Sequence, residues 1–464
     1  MRSCGISVCT RSALGSMGII LALAVGCQKR EPPLPEKIAF VVPADIPTPE
    51  RTSEPTPTDT PPTARIVPPP QRCIPDMPAW ERAPIAVLLD RAASMFGADP
   101  ASALRCADEA VHAAPSSIEA HHDRASALVA LGRLDEARDA VELVLALTPD
   151  DVEALELAAD LFINRLPPSA GRTQIGLAYG ERAERLIRRG GRVANSTVVE
   201  QRARLQLLRG QALLDLGRPN EAAILLERAR GTLRDSVVAK TQYAAALFEL
   251  NRFPEARAEL ERLLAQHPNN PIVQHHLALV LERDTATETR ATQLFTRARE
   301  LNPTAFPAPV DLSQVDFEDR VRRAVADLPV SVQEALTSVG VQVVAAELPD
   351  GADLVSEYPP LSPTILGLYR GKPLGKVGDP DGKVAGRAGR PGTMRTIVKS
   401  GTAIPDGPNQ FDRPGRTIVL FRRNLLRSVV TESELDSAIA TTLAHELGHL
   451  YGEDDDSLRE RGLE

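Results

Sequence analysis

Five residues near the end of the chain, His445, Glu446, His449, Gly452 and Asp455, have the types and spacing of a metal-binding site. Residues four apart lie on one face of a helix, so the imidazoles of His445 and His449 can point at one ion. Glu446 follows the first histidine and is placed to take a proton from an attacking water. Gly452 can adopt a positive φ and turn the chain back, which would bring Asp455 to the ion as a third ligand. Three protein ligands leave a fourth position open, which is typical of a catalytic rather than a structural zinc site.

The sequence before this motif predicts the helix that must carry it. Thr431 and Glu434 have the spacing of an N-terminal capping box. Apolar residues follow at roughly helical intervals, namely Leu435, Ile439, Leu443 and Leu447. An isolated H-E-x-x-H can occur by chance on an amphipathic helix, but this context and the glycine and acid that follow favour a metal site. Asp454 and Asp456 flank Asp455, so the third ligand stays open among these three acids.

Two further segments carry a family resemblance. One is Arg416-Thr-Ile-Val-Leu-Phe-Arg-Arg-Asn-Leu-Leu426, and the other is Thr364-Ile-Leu-Gly-Leu-Tyr-Arg-Gly371. Together with the histidine motif, they resemble the small bacterial family of minimal zincin-like metallopeptidases. The resemblance covers about residues 316–464, which is roughly a third of the chain.

This resemblance implies a zinc-dependent fold with hydrolytic activity. It implies that His445, His449 and Asp455 are the ligands of Zn2+ and that Glu446 is the catalytic base. No methionine follows residue 394, so the Met-turn of larger metzincins has no candidate in this sequence. The motif predicts hydrolysis better than it predicts the bond, so a peptidoglycan or lipid-linked amide remains an alternative to a peptide substrate.

Residues 305–464 predict a small α+β domain around the motif. Three segments are strand candidates, namely Val339–Glu347, Ile365–Tyr369 and Thr417–Phe421. We expect the last of these strands to pair with an extended substrate, as the edges of sheets do. Between the second and third strands, residues 371–415 hold ten glycines. A loop of that length is either functional or disordered.

Residues 80–304 predict an all-α solenoid, because their pattern resembles the tetratricopeptide repeat. Ile118–Asp151 is one unit of 34 residues, with small residues where two antiparallel helices would touch and a proline near its end. Further clear units start at Ala203, Val237 and Pro271. An irregular first unit spans Pro84–Pro115, and prolines interrupt a unit that starts at Val152. Stacked repeats present a concave surface, which favours binding of a protein or peptide, although they could instead only support the C-terminal domain.

The N-terminus predicts export and a lipid anchor. Residues 1–27 combine early arginines with a short apolar run, and they end Leu-Ala-Val-Gly-Cys27, which resembles the bacterial lipoprotein cleavage box. Acylation of Cys27 would anchor the chain in the cell envelope, at the outer membrane facing the periplasm in a Gram-negative cell. An ordinary signal peptide or an uncleaved anchor is the alternative. Residues 28–79 are proline-rich and predict a disordered linker.

Two cysteines, Cys73 and Cys106, would remain free in such a mature chain. An oxidising compartment would permit a disulfide between them, which would clip the end of the linker to the first repeat. Two unpaired cysteines are an equally good interpretation of the sequence alone.

The charge balance restricts the class of partner. The chain has 54 basic and 62 acidic residues and a formal net charge of −8, which argues against a general nucleic-acid binder. The sequence therefore predicts a multidomain, membrane-anchored zinc metallopeptidase whose repeats recruit a protein substrate or partner. The alternative is a non-catalytic assembly lipoprotein, in which the repeats act and the zincin-like module is structural. An intact Glu446 favours the peptidase, since a purely structural site does not need it.

Overall fold

A computed structural model describes residues 72–74, 83–167, 169–190, 198–356, 360–374 and 415–463. These residues fall into two compact units, one ending at Leu205 and the other beginning at Gln206. Cys27, most of the predicted linker and residues 375–414 of the glycine-rich segment lie outside the described part of the chain. Within that part, no helix is long and apolar enough to cross a membrane. The predicted boundary near residue 304 lies inside the second unit and stays a prediction.

The repeats form helical hairpins, as their sequence predicts. The first unit contains α1 (Ile85–Met95), α2 (Pro100–Ala113), α3 (Ile118–Ala130), α4 (Leu134–Leu147), α5 (Val152–Asp160) with a π-helical turn over Leu161–Arg165, and α6 (Ala170–Arg188). The division between the units falls within α7 (Val198–Asp215). The second unit continues with α8 (Pro219–Thr232), α9 (Val237–Glu249), α10 (Phe253–Gln266), α11 (Pro271–Leu281) and α12 (Glu288–Leu301).

Small residues allow the two helices of each hairpin to approach closely. Ala125, at the eighth position of its repeat, is fully buried between α3 and its neighbours. At the same position of a later repeat, a Cβ on Gly210 would lie 2.5 Å from Cγ of Leu226. The turn between the helices requires a left-handed residue, which is Gly132 with φ 71° in one repeat and Asn251 with φ 60° in another.

The C-terminal part of the second unit is a small α+β domain. Its elements are α13 (Gln314–Ala326), α14 (Val330–Ser338), β1 (Val341–Ala346), α15 (Gly351–Leu354), β2 (Gly367–Arg370), β3 (Arg416–Phe421), α16 (Arg422–Ser428), α17 (Glu432–Leu450) and α18 (Asp455–Glu460). The strand order is β1-β3-β2, with β1 parallel and β2 antiparallel to β3.

This strand order contradicts one expectation from the sequence. β3 contains Thr417–Phe421, the segment that we expected to pair with a substrate. Both edges of β3 already carry hydrogen bonds, because β1 lies on one side and β2 on the other. β3 is therefore the central strand, and a substrate strand has no place beside it.

A single apolar core joins the sheet to the helices. α17 packs against β2 and β3, while α13 packs against β1 and α17. The apolar stripe predicted on α17 is buried in this core, which contains Leu435, Ile439, Leu443 and Leu447. The whole chain thus combines an all-α tetratricopeptide-repeat region with a small α+β domain, as predicted.

The last repeats and the α+β domain share buried contacts. Glu282, at the end of α11, is buried and forms ion pairs with Arg427 and Arg423 of α16. Asn251 donates a hydrogen bond of 3.1 Å from Nδ2 to the carbonyl oxygen of Leu361. Phe253 packs against the core of the α+β domain. The ion pairs of Glu282 hold α16, the short helix between β3 and α17, on the repeat helices, and the other two contacts join the repeats to the rest of the domain.

Candidate metal centre

The helix α17 carries the histidine motif on its last turns. It begins after Thr431, whose side chain accepts a hydrogen bond from the backbone of Glu434, and the complete capping box predicted from the sequence is present. The helix is long enough to pass through the core before it reaches the motif. At this end His445 and His449 are each only 5% exposed and Glu446 is fully buried. The motif is therefore held by a well-anchored helix in a site largely removed from water.

Gly452 ends this helix and reverses the chain. Its φ is 78°, and its backbone N–H donates to the carbonyl oxygen of His449 at 3.0 Å. The N–H of Glu453 donates to the carbonyl oxygen of Gly448, also at 3.0 Å. This pair of bonds is a Schellman motif, in which glycine takes the left-handed position at low cost. The turn sends the chain back towards the two histidines, as the sequence predicts.

Three side chains converge at the site. Nε2 of His445 and Nε2 of His449 are 3.0 Å apart. Oδ1 of Asp455 lies 3.6 Å from Nε2 of His445 and 3.2 Å from Nε2 of His449. Ligand atoms of all three residues lie within 4.8 Å of one another, and all three side chains are buried. The structure therefore brings together His445, His449 and Asp455, the three ligands that the sequence predicts.

The other ring nitrogens explain why the Nε2 atoms face each other. Nδ1 of His445 lies 2.8 Å from the carbonyl oxygen of Leu463, and Nδ1 of His449 lies 3.0 Å from that of Glu453. A carbonyl oxygen only accepts hydrogen bonds, so we assign the proton of each neutral ring to Nδ1. The lone pairs of both Nε2 atoms then point at one another. Such an arrangement requires a cation between or beside them, which can be a proton or a metal ion.

The neighbouring acids have different roles in the fold. Asp455 is the first residue of α18 and its carboxylate lies against the histidines. The carboxylate of Asp454 instead caps α18, accepting hydrogen bonds from the backbone and the hydroxyl of Ser457 at 2.9 and 2.7 Å. Asp454 is thus occupied as a helix cap, and Asp455 is the acid at the site.

Glu446 lies beside these groups in a tightly packed space. The backbone N–H of Tyr369 in β2 faces this carboxylate, and no side chain of the described residues donates a hydrogen bond to it. Burial raises the pKa of Glu446 above its ordinary value, although the two histidines oppose this shift. Gly367 of β2 faces it so closely that a Cβ there would lie 2.9 Å from Oε1 of Glu446 and 2.6 Å from Cγ2 of Thr442. A buried carboxylate without a side-chain partner is costly, which points to a role other than packing.

The charges at the site are strongly coupled. Burial is the largest single effect on His449 and lowers its pKa, but the contact with Asp455 and the negative charges of Glu446 and Asp455 together outweigh burial and raise the pKa to about 9. The pKa of His445 is raised by the same carboxylate, again against the effect of burial. The pKa of Asp455 is lowered by the two histidines despite burial. The carboxylate therefore favours positive charge at the place where the Nε2 atoms meet.

These observations fit a zinc ion. Two imidazole nitrogens and one carboxylate are the donors of a catalytic zinc site with three protein ligands. The Nδ1–H groups are already bound to carbonyl oxygens, which is the usual support for histidine ligands of zinc. His445, His449 and Asp455 would hold the ion. Zinc at such a site acts as a Lewis acid and lowers the pKa of water to about 7.

Some residues around the site have no clear signal in the sequence. The carbonyl groups of Glu453 and Leu463 orient the histidines, but a backbone group is not encoded by residue type. Gly448 contacts Leu458 so closely that a Cβ would lie 2.2 Å from Cδ2 of that leucine. The sequence offered one signal for this part of the site, namely the segment Leu-Gly-Leu-Tyr-Arg-Gly around Gly367. That segment contributed only to the family resemblance.

The remaining predicted site residues are three cysteines. Cys73 and Cys106 form a disulfide, which joins residues 72–74 to α2. The backbone N–H of Cys73 also donates to a carboxylate oxygen of Glu109 at 2.7 Å. The proposed lipid-bearing residue, Cys27, lies outside the described residues.

Comparison with solved structures finds tetratricopeptide-repeat proteins of low similarity. A thermophilic repeat protein of Thermus thermophilus is 21% identical, with a TM-score of 0.34 over 43% of this chain and 99% of its own. The pilF protein of Pseudomonas aeruginosa is 16% identical, with a TM-score of 0.38 over 47% of this chain and 92% of its own. A repeat protein of Parabacteroides merdae is 14% identical, with a TM-score of 0.37 over 55% of this chain and 97% of its own.

Family profiles match three parts of the sequence. Two tetratricopeptide-repeat profiles match residues 118–161 and 202–280. The zincin-like metallopeptidase profile matches residues 398–463, which include the histidine motif. A search of functionally curated proteins finds no match. The chain therefore carries a zincin-like metallopeptidase domain at its C-terminus, preceded by tetratricopeptide repeats.

Proposed function

We propose that this protein is a zinc-dependent metallopeptidase that hydrolyses peptide bonds in the cell envelope. The observation that carries this proposal is the convergence of two Nε2 atoms and one carboxylate beside a buried glutamate that accepts no side-chain hydrogen bond among the described residues. A purely structural zinc site does not require such a glutamate. A hydrolytic site needs one, because the attacking water must lose a proton.

Glu446 is the general base and then the general acid of the proposed reaction. It takes a proton from water as the water oxygen bonds to the carbonyl carbon of the peptide. It then passes this proton to the leaving nitrogen as the C–N bond breaks, so the products are a carboxylic acid and an amine. Gly367 leaves no side chain between β2 and Glu446 and keeps the carboxylate in its place. The burial of the site excludes bulk water from this proton transfer.

The repeats are proposed to recruit a protein substrate or partner. Tetratricopeptide arrays present concave surfaces for protein binding. In the second unit, Asn251, which follows α9, and Glu282, which follows α11, contact the peptidase domain. We therefore assign recruitment to the hairpins of the first unit, α1 to α6, and support of the peptidase domain to the last repeats.

Attachment to the envelope through acylated Cys27 completes the proposal. The Leu-Ala-Val-Gly-Cys27 sequence supports it, as does the disulfide between Cys73 and Cys106, which suits an oxidising compartment. Replacing Cys27 with serine should release the protein from the membrane fraction and remove acyl chains detected by mass spectrometry. An unchanged membrane fraction without acylation would contradict the lipid anchor.

The hydrolytic activity is tested with the full chain and its Glu446→Gln variant. Both should bind about one zinc per chain, and only the parent should cleave an unstructured protein such as casein. The loss on substitution should be at least about a hundredfold in rate. Glu334→Gln, at an exposed position on α14, is the matched control and should cleave like the parent.

Two outcomes separate this proposal from its alternative. Equal cleavage by the parent and the Glu446 variant would show that Glu446 is not the base. Zinc binding without cleavage by either protein, across unstructured proteins and peptide libraries, would favour the non-catalytic scaffold, in which the repeats act and the zincin-like domain is structural.

A further inference from the structure

Both histidines of the metal centre donate to backbone carbonyls that belong to one segment, residues 453–463. Nδ1 of His449 donates to the carbonyl of Glu453 at 3.0 Å, and Nδ1 of His445 donates to that of Leu463 at 2.8 Å. The same segment contains Asp455, the proposed third ligand. We call residues 453–463 the C-terminal strap. It contacts every proposed ligand, although its sequence contains only one of them.

Two turns of the same type orient these two carbonyl groups towards the histidines. The first is the turn at Gly452 that ends α17 and is followed by Glu453. The second ends α18, where Gly462 has φ 75° and its N–H donates to the carbonyl of Arg459 at 2.9 Å. The N–H of Leu463 donates to the carbonyl of Leu458 at 3.0 Å. In both Schellman turns the residue after the glycine presents its carbonyl to a histidine.

Apolar contacts and one ion pair hold the strap against α17. Leu458 is fully buried and Leu463 is 2% exposed. Leu458 occupies the space over Gly448, where a Cβ would lie 2.2 Å from its Cδ2. Arg461 forms an ion pair with Glu453, which joins the two ends of the strap. The position of each carbonyl is therefore fixed by buried packing as well as by the turns.

We propose that the C-terminal strap is a positioning element that sets the zinc affinity of the site through the Leu463 and Glu453 carbonyls. The inference rests on the proposed function in taking His445 and His449 as zinc ligands. A carbonyl at Nδ1 fixes the tautomer, the ring orientation and the basicity of Nε2. Loosening the strap removes this orientation while leaving all three ligands in the chain. Leu463 and Gly462 are thus positioning residues, not ligands.

The test compares Leu463→Ala with Leu336→Ala in the full-length protein. Both substitutions truncate a buried leucine of the second unit, but Leu336 lies on α14, away from the metal centre. Competition with a chromophoric chelator gives the zinc dissociation constant. We expect Leu463→Ala to weaken zinc binding by about 10- to 100-fold and Leu336→Ala to leave it within about threefold. The cobalt-substituted proteins should show altered ligand-field bands only for Leu463→Ala.

A second pair keeps the test informative if Leu463→Ala does not fold. Gly462→Val and Gly190→Val each place a β-branched residue at a positive φ with open space around it. Only Gly462→Val should weaken zinc binding. Parent-like affinity and cobalt bands in both strap variants would overturn the inference, as would equal weakening by the control variants. A parent protein that binds no zinc would refute the metal site itself, and with it the proposed function.

Discussion

At the scale of single residues, Gly367 shows how little room the site leaves around Glu446. Its missing side chain allows β2 to lie directly against Glu446 and Thr442. The backbone N–H of Tyr369, also in β2, faces the same carboxylate, and no side chain of the described residues donates a hydrogen bond to it. The exact position of the carboxylate therefore depends on packing.

The first prediction concerns this contact. Gly367→Ala should lower kcat/KM by at least about tenfold, because the new methyl group displaces Glu446 from its place. Overpacking should also lower the free energy of unfolding by about 1–3 kcal/mol. Zinc content should stay at the parent level, because the atoms nearest the new methyl group belong to Thr442 and Glu446 and not to a proposed ligand.

Gly351→Ala is the matched control, since a Cβ at Gly351 meets no atom within 4 Å. This variant should retain parent activity. Peptidase assays and urea unfolding of both variants check the prediction. Full activity of Gly367→Ala would mean that Glu446 tolerates displacement or does not act as the base.

Residue types and spacing predicted the two histidines, the turn after them and an acid among residues 454–456 at the site. The histidine spacing, the glycine and the acid each have a side-chain requirement, so a sequence records them. The choice among Asp454, Asp455 and Asp456 was open, because all three are chemically equivalent until α18 begins. The hydrogen bonds from Ser457 to Asp454 separate Asp454 from Asp455, and only the three-dimensional structure contains that information.

At the scale of elements, α16 connects the metal centre to the repeats. It lies between β3 and α17, and its Arg423 and Arg427 form ion pairs with buried Glu282 of the repeat region. Arg423 also pairs with Glu347 at 2.8 Å. The guanidinium of Arg427 lies 4.9 Å from the ring centroid of Phe295, a favourable cation–π distance. A change in the repeats can thus reach the element that precedes the helix carrying the candidate metal ligands.

The second prediction removes this link. Glu282→Ala should lower the free energy of unfolding of the second unit by about 2–3 kcal/mol, because two partly buried arginines lose a buried partner. The value stays at the low end because Arg423 keeps Glu347. Glu300→Ala breaks an exposed pair with Arg297 and should cost less than about 1 kcal/mol. Urea unfolding measures both, and equal effects would contradict a special role for Glu282.

The helical hairpins were predictable because small residues and turn glycines recur at fixed spacing. The three strands were also predicted within a few residues of their bounds. Their order was not predictable, since parallel pairing of β1 with β3 joins segments that are far apart in the sequence. We expected Thr417–Phe421 to pair with a substrate, and this expectation was wrong because the strand order was unknown. The pattern of residues in a strand does not distinguish a central strand from an edge strand.

At the scale of the whole molecule, the second unit contains buried groups that restrict the pH range of stability. His276 of α11 is 3% exposed, and neither ring nitrogen has a hydrogen-bond partner among the described residues. Burial lowers the pKa of His276 to about 3. Its neighbour His275 also has a lowered pKa, caused by burial and then by nearby positive charge.

The third prediction is a loss of stability in acid. The unfolded chain binds a proton at His276 below its ordinary pKa of about 6.5, whereas the folded chain does so only near 3. Above pH 6.5, His276 is neutral in both states and its titration does not reduce stability. As the pH falls from 6.5 to 3, the free energy of unfolding decreases, because only the unfolded chain takes up the proton. The loss for this one residue is about 1.4 kcal/mol per pH unit, or about 2 kcal/mol at pH 5.

Urea unfolding of the parent and of His276→Leu at pH 7 and pH 5 isolates the effect of His276 on stability. All other groups titrate in both proteins, so their effects cancel in the comparison. The variant should lose about 2 kcal/mol less than the parent between the two pH values. His112→Leu, at an exposed position in the first unit, should lose as much as the parent. Equal losses in the parent and His276→Leu would contradict the prediction.

The measurement that tests the central claim most directly is the zinc dissociation constant of two adjacent variants, Asp455→Asn and Asp454→Asn. Both changes remove one carboxylate charge and keep the shape of the side chain. Asp455→Asn should weaken zinc binding by at least about a hundredfold, because a ligand is lost. Asp454→Asn should stay within about threefold of the parent, because asparagine also caps a helix. Equal binding by both variants, or loss in Asp454→Asn alone, would contradict a zinc site built from His445, His449 and Asp455.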